Sequence, residues 1–265
     1  MPPSIRGNQM NILLVNDDGI REEGLKVLAQ ALAPLGDLYI VAPEEHQSGQ
    51  SQSITIYEPL KIKHYGSLYG SKLAISVEGK PADCTRIAIG TLNVPFDLCV
   101  SGINSGLNVG SDILYSGTVG AATEAMILGV PAIAISAPKK GLFLAQKTVY
   151  EVVKHLIDTR AVTTDYVLNI NYPSSKFQQI LGVKWTRQGL HHHTAKFEKV
   201  DEYTYKTVYE LKETEESLDS DVVAFRMGYL SITPLIESRY SEEVVNNLKK
   251  QKQLNPTFIY DKIVK

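Results

Sequence analysis

The N-terminal run Ile12-Leu13-Leu14-Val15 is apolar at every position and stops at Asn16-Asp17-Asp18-Gly19. A strand covered by helices on both faces reads as a continuous apolar run, whereas a half-exposed strand alternates. The run therefore predicts a buried strand of an α/β sheet. Leu25, Leu28, Leu32 and Leu35 then recur at helical spacing, and Pro34 and Gly36 end the helix. Residues 37–43 predict a second strand, which completes a strand–helix–strand unit with parallel strands and a right-handed crossover. Residues 60–63 and 73–77 predict a hairpin, and Lys80-Pro81-Ala82-Asp83 opens a helix to about Leu92. Strands over 96–101, 132–136 and 166–173 alternate with helices over 121–128 and 144–157.

The texture changes after that. Residues 180–212 alternate apolar and polar positions, which predicts long antiparallel strands leaving the core as an arm. Such strands carry unpaired edges, so the arm is expected to build a homodimer or homotetramer. Within it, His191-His192-His193 is expected at an exposed hairpin tip, because three consecutive residues cannot all face one ion in good geometry. A short helix near 221–228, a returning strand over 229–235 and an amphipathic helix over 241–251 follow. The expected fold is α/β: a Rossmann-like, mostly parallel sheet flanked by helices, with a protruding antiparallel hairpin arm and a C-terminal helix. Residues 10–175 would form the core, and 176–265 the arm, the returning elements and the terminal helix.

Composition adds mainly exclusions. With 43% hydrophobic and 21% charged residues the chain can fill a core, and a formal net charge of −2 gives no basic footprint for duplex nucleic acid. Cys84 and Cys99 sit in apolar text and read as small buried hydrophobes rather than a disulfide pair. The opening Met-Pro-Pro-Ser-Ile-Arg-Gly-Asn-Gln lacks the apolar core of a signal peptide, and no window reaches the length of a membrane span. A cytoplasmic location, away from membranes, is expected.

The candidate chemistry lies where strands end. Adjacent carboxylates at the end of a buried strand repel one another unless a cation or water intervenes, and ligands of open α/β sheets bind at the carboxyl edge. Asp17 and Asp18 are therefore candidate metal ligands; a solvated turn is the plainer alternative. The polar loop over 44–53 follows the second strand and can face them. Ser116-Gly117-Thr118 at a helix start offers amides, hydroxyls and the positive end of the dipole to an anion, although Ser or Thr there also serves as an ordinary cap.

Six motifs in order carry a resemblance: Asn16-Asp17-Asp18-Gly19; Ala42-Pro43 with Ser48-Gly49; Gly79-Lys80-Pro81-Ala82-Asp83-Cys84; Ser101-Gly102-Ile103-Asn104-Ser105-Gly106-Leu107-Asn108; Tyr115-Ser116-Gly117-Thr118-Val119-Gly120-Ala121-Ala122; and Gly228-Tyr229-Leu230-Ser231-Ile232-Thr233-Pro234-Leu235. Together they resemble the survival protein E (SurE) family of metal-dependent nucleotidases. The resemblance implies that Asp17, Asp18, Ser48 and Asn104 hold one divalent cation. An all-oxygen set of this kind suits Mg²⁺ or Mn²⁺ rather than structural zinc. It implies hydrolysis of nucleoside 5′- and 3′-monophosphates by metal-activated water, with Asp17, Asp18 and Asn104 as catalytic residues; some family members also take short polyphosphate. Ser116, Gly117 and Thr118 are expected on the transferred phosphoryl group, and Asn108 is a candidate substrate contact. Two positions depart from the family's usual text: Lys80 stands where Gly-Thr-Pro is more typical, and Gln47 precedes Ser48 where a basic residue is common.

Two other readings compete. An aspartyl-phosphate phosphatase of the haloacid-dehalogenase type would place Asp-x-Asp after the first strand, whereas here the acids are adjacent. A non-catalytic Rossmann-like nucleotide-binding module would place Gly-x-Gly-x-x-Gly there.

Overall fold

The computed structural model describes residues 9–174, 176–190, 192–212 and 215–250. In chain order the elements are β1 (Met10–Val15), α1 (Glu23–Leu32), β2 (Gly36–Pro43), β3 (Ile62–Gly66), β4 (Leu73–Val77), α2 (Pro81–Thr91), β5 (Leu98–Ser105), α3 (Gly117–Ile127), β6 (Ala132–Ala137), α4 (Leu142–Asp158), β7 (Val167–Asn171), β8 (Val183–Trp185), β9 (His192–Lys199), β10 (Tyr205–Lys212), α5 (Asp221–Arg226), β11 (Leu230–Leu235) and α6 (Glu242–Lys250).

One nine-stranded sheet, ordered β3-β4-β2-β1-β5-β6-β7-β11-β8, carries the fold. Strands β4, β2, β1, β5, β6 and β7 run parallel; β3 is antiparallel to β4, and β11 antiparallel to β7. The α/β, mostly parallel architecture expected from the apolar runs is what forms. Side chains alternate across β1, so Ile12 and Leu14 enter an apolar layer with α1 and α4, while Leu13 and Val15 enter a second layer with α2 and α3. Burial on both faces is why residues 12–15 of this strand have no polar position. Cys84 and Cys99 are free and buried in the second layer, as their apolar neighbourhoods predict.

The arm is shorter than its sequence pattern suggests. Within 180–212, residues Val183–Trp185 do not leave the core: they pair in parallel with β11 and cover its outer edge, and Thr186 meets Thr233 through their hydroxyls at 2.8 Å. A strand with an available edge beside it is better satisfied there than in a free hairpin. Only β9 and β10 form the separate antiparallel pair. The triple histidine is not at its tip. His193 pairs with Leu211 and His192 with Lys212 at the base, the turn lies where Val200 N–H meets Thr204 O at 2.9 Å, and His191 is outside the described residues.

The nine-stranded sheet and the hairpin belong to a unit that ends at Leu235, and the segment from Ile236 forms a second unit. The expected boundary at 175/176 thus falls inside the first unit, because β11 and β8 complete the sheet. In the second unit α6 starts on Ser241, whose hydroxyl accepts from Val244 N–H at 3.3 Å; the expected end of this helix at 251 lies outside the described residues.

Candidate active site

The carboxyl ends of β2, β1 and β5 lie side by side in the sheet and on one edge. Each feeds a loop carrying a candidate residue. After β1, Asn16 folds the chain back on itself: its Nδ2 donates to Gly19 O at 2.8 Å, and Gly19 N–H donates to Asn16 Oδ1 at 3.2 Å. Gly19 sits at φ +122°, a conformation that side chains resist. Ile20 N–H then reaches Pro43 O at 3.0 Å, tying this turn to the end of β2. The turn that carries Asp17 and Asp18 is therefore held by the Asn16 side chain and by a backbone tie to β2.

Asp17 is buried and meets the start of α3. Its Oδ1 accepts from Thr118 Oγ1 at 2.5 Å, and its carbonyl accepts from Gln47 N–H at 2.7 Å. Gly117 makes this approach possible, since a Cβ there would fall 2.9 Å from both Asp17 Cβ and Pro81 Cγ, and 3.1 Å from Asp17 Oδ2. Burial pushes the Asp17 carboxyl up to about 6, against the Thr118 hydrogen bond that lowers it and with the neighbouring Asp18 charge raising it further. Asp18 is also buried. Its Oδ2 accepts from Ser105 N–H at 3.0 Å and its Oδ1 faces His46 Nδ1 at 3.3 Å.

Ser48 lies on the exposed loop after β2, with its hydroxyl 2.7 Å from His46 Nε2. With the ring proton on Nδ1, His46 donates to Asp18 and accepts from Ser48, so the imidazole bridges two of the expected ligands. Asn104 is half-buried near the end of β5, beyond a register shift against β6 between Ser101 and Asn104. Gly102 sits in that shift at φ +140°, and a Cβ on it would lie 2.3 Å from Ile135 O. A bulge redirects the residue that follows it. Asn104 Nδ2 donates to Gly106 O at 3.3 Å.

The phosphate candidates divide. Ser116 is the N-cap of α3, its Oγ accepting from Val119 N–H at 3.1 Å, and the Thr118 hydroxyl is engaged by Asp17. The first-turn amides of Gly117 and Thr118 have no intrahelical partner by helix geometry. Asn108 lies in a buried polar knot: its N–H donates to Asn171 Oδ1 at 2.8 Å, its Nδ2 to Ser136 Oγ at 2.8 Å, and its carbonyl accepts from Asn169 Nδ2 at 2.8 Å and Asn171 Nδ2 at 2.9 Å. These bonds make it an anchor for the loop between β5 and α3.

Sequence reasoning missed three participants. His46 was visible only as one polar residue of its loop, with no spacing to Asp18 that could mark it. Asn169 and Asn171 alternate with apolar residues inside a buried strand, and that alternation was the available signal. The two departures from the family text meet each other: Lys80 Nζ donates to Gln47 Oε1 at 3.4 Å.

The donors present suit a hard cation. Two buried carboxylates, one raised in pKa chiefly by burial, are accompanied by a hydroxyl and an amide oxygen. Among the described residues no group of three or more His, Cys, Asp or Glu side chains gathers in metal-binding fashion, so neutral oxygens would have to complete any coordination here. A softer, thiolate- or imidazole-rich site is not what this edge offers.

The family model described as Survival protein SurE matches residues 12–195. A 5′-nucleotidase SurE of Aliivibrio fischeri is 39% identical over 239 residues, spanning 87% of this chain and 90% of that protein. A 5′-nucleotidase SurE of Clostridium botulinum is 39% identical over 255 residues, spanning 92% and 99%. Among solved structures, the Sure protein from Aquifex aeolicus superposes with a TM-score of 0.77 at 34% identity, covering 92% of this chain and all of that one.

Proposed function

The chain belongs to the survival protein SurE family, and we propose that it is a divalent-metal-dependent nucleotidase that hydrolyses nucleoside 5′- and 3′-monophosphates to nucleoside and phosphate. The observation carrying this reading is the contact between Asp17 and the start of α3, which puts a buried acidic pair against free helix amides at one sheet edge. The names of the relatives, 5′-nucleotidases, support the same activity and favour neither the aspartyl-phosphate enzyme nor the binding module.

Asp17, Asp18, Ser48 and Asn104 would hold one Mg²⁺ or Mn²⁺. When bound, such a cation supplies the charge that acidifies a water and neutralises a phosphate oxygen. The remaining work falls to the chain. Thr118 fixes Asp17 through Oδ1, leaving Oδ2 turned toward Gly117 to take a proton from the attacking water. The Gly117 and Thr118 amides, at the positive end of α3, bind the phosphoryl oxygens as negative charge grows on them. Ser116 holds that helix start in place through its cap. Asn108 acts on substrate through the loop it anchors.

The hairpin of β9 and β10 pairs with no other strand of the described residues, and it exposes Phe197, Tyr203 and Tyr205. This supports assembly of a homodimer or homotetramer through the 180–212 arm. No helix among the described residues is long and apolar enough to cross a membrane, which accords with a cytoplasmic enzyme. Phosphate release from AMP, GMP, a 3′-nucleotide and short polyphosphate, with Mg²⁺, Mn²⁺ or chelator, tests the activity. Metal-dependent turnover lost in Asp17→Asn is the expected result; folded, metal-loaded protein that turns over no phosphoester would overturn it.

A further inference from the structure

Lys80 stands beside this site with no carboxylate to answer its charge. It is half-buried, and its ammonium donates to the neutral Gln47 Oε1 at 3.4 Å. Among the described residues it makes no ion pair. The two nearest acids along the chain are spent elsewhere: Glu78 pairs with Lys61 at 3.4 Å, while Asp83 Oδ1 accepts from Thr55 N–H at 2.9 Å and its Oδ2 from Thr55 Oγ1 at 2.7 Å and the Lys80 backbone N–H at 2.9 Å. A partly desolvated ammonium held only by an amide oxygen is short of negative charge.

Its location follows from three contacts. Gln47 is tied by its own N–H to Asp17 O at 2.7 Å. Pro81, the residue after Lys80, and Asp17 both press on Gly117. Lys80, Gln47, Asp17 and the start of α3 therefore surround one place on the carboxyl edge. Gln47 steadies the ammonium there without neutralising it, which a carboxylate at that position would do.

We propose that Lys80 is a substrate-phosphate-binding residue, its ammonium contacting a non-bridging oxygen of the phosphate whose other oxygens face the α3 amides. A compact point charge suits a phosphate dianion. The proposal rests on the nucleotidase reading for its substrate, but it can be judged separately through inorganic phosphate.

The experiment combines calorimetric binding of inorganic phosphate to Mn²⁺-loaded protein with KM and kcat for AMP at low and high ionic strength. Lys80→Met keeps the apolar stem and removes the charge; Lys80→Arg keeps the charge; Gln47→Glu pairs it internally. Lys80→Met and Gln47→Glu are expected to weaken phosphate and raise KM about tenfold, with kcat moved less. Their KM should also lose part of its salt dependence, and Lys80→Arg should restore binding. Unchanged phosphate affinity and KM in Lys80→Met would overturn the proposal. So would a loss matched by equal losses in Mn²⁺ affinity and melting temperature, which would make Lys80 structural. Wild-type protein that binds phosphate through Lys80 yet releases none from AMP would instead remove the nucleotidase reading and keep the anion site.

Discussion

Thr118 Oγ1 donates to Asp17 Oδ1 at 2.5 Å across a sequence separation of 101 residues. This contact joins the end of the first strand to the start of α3, and so joins the acidic pair to the anion-binding end of a helix. Sheet order makes it possible. β1 lies beside β5, and the chain leaving β5 returns over the same edge into α3.

Thr118→Val keeps the shape and deletes the hydrogen bond. Asp17 then loses the largest influence holding its pKa down, and the carboxylate is free to turn. We expect kcat/KM for AMP to fall at least tenfold, with the acid limb of its pH profile moving to higher pH. Thr118→Ser should retain most activity. Steady-state kinetics across pH on all three proteins checks this, and an unmoved acid limb in Thr118→Val would count against Asp17 as the titrating group.

Gly117→Ala tests space rather than backbone freedom. The added carbon would lie 2.9 Å from Asp17 Cβ and from Pro81 Cγ, closer than real contacts allow, and neither neighbour is a flexible chain end. Overpacking of this kind costs about 1–3 kcal/mol. A lowered melting temperature together with loss of phosphate release is expected, since relief of the clash must displace Asp17 or α3.

Much of this was legible in the sequence because the signals were local. Ile12-Leu13-Leu14-Val15 marks a buried strand by itself, and the acids that break it must lie at that strand's carboxyl end. The α3 start was legible because Ser116-Gly117-Thr118 precedes a clear helix. What escaped depends on pairing between distant segments. Residues 183–185 carry the same alternation as a hairpin strand, and only the edge left by β11 decides where they go. The His46 link to Asp18 depends on how the loop after β2 folds back. The ordinary cap weighed for this helix start is what the Ser116 hydroxyl forms, whereas the Thr118 hydroxyl's engagement by Asp17 depends on pairing that no local signal carries.

Asn171→Leu removes both partners that this side chain gives to Asn108, whose N–H and carbonyl are buried. Leaving a buried polar group unsatisfied costs about 1–3 kcal/mol; the carbonyl keeps Asn169 Nδ2, so the stranded N–H dominates. A loss of that size in a denaturant titration is expected, along with reduced activity from a loosened loop. Full stability would mean that water replaces Asn171.

Replacing residues 192–212 by a short turn tests the arm. The main sheet does not include β9 or β10, so the shortened protein should keep its fold by circular dichroism. Light scattering should then report monomer for the shortened protein and, if the arm builds the assembly as proposed, dimer or tetramer for the full chain. An unchanged assembly would place the interface elsewhere.

The Asp17 pKa links stability to pH and metal. Its carboxyl is raised from 3.8 to about 6, chiefly by burial. Raised in the folded state, it binds its proton more tightly there than in the unfolded chain, so its contribution is most favourable below pH 3.8 and is lost as pH rises through about 6. A shift of this size corresponds to about 3 kcal/mol. Metal-free protein should therefore carry a destabilising contribution above pH 6 that Asp17→Asn lacks. The difference in melting temperature between the two should widen in favour of Asn across this interval. Added Mn²⁺ should reverse the order at pH 7, because the cation stabilises the ionised pair and binds the wild type more tightly. Parallel melting curves across pH, with chelator and with Mn²⁺, read both effects. A pH-independent difference in chelator would mean that Asp17 titrates alike in the folded and unfolded states.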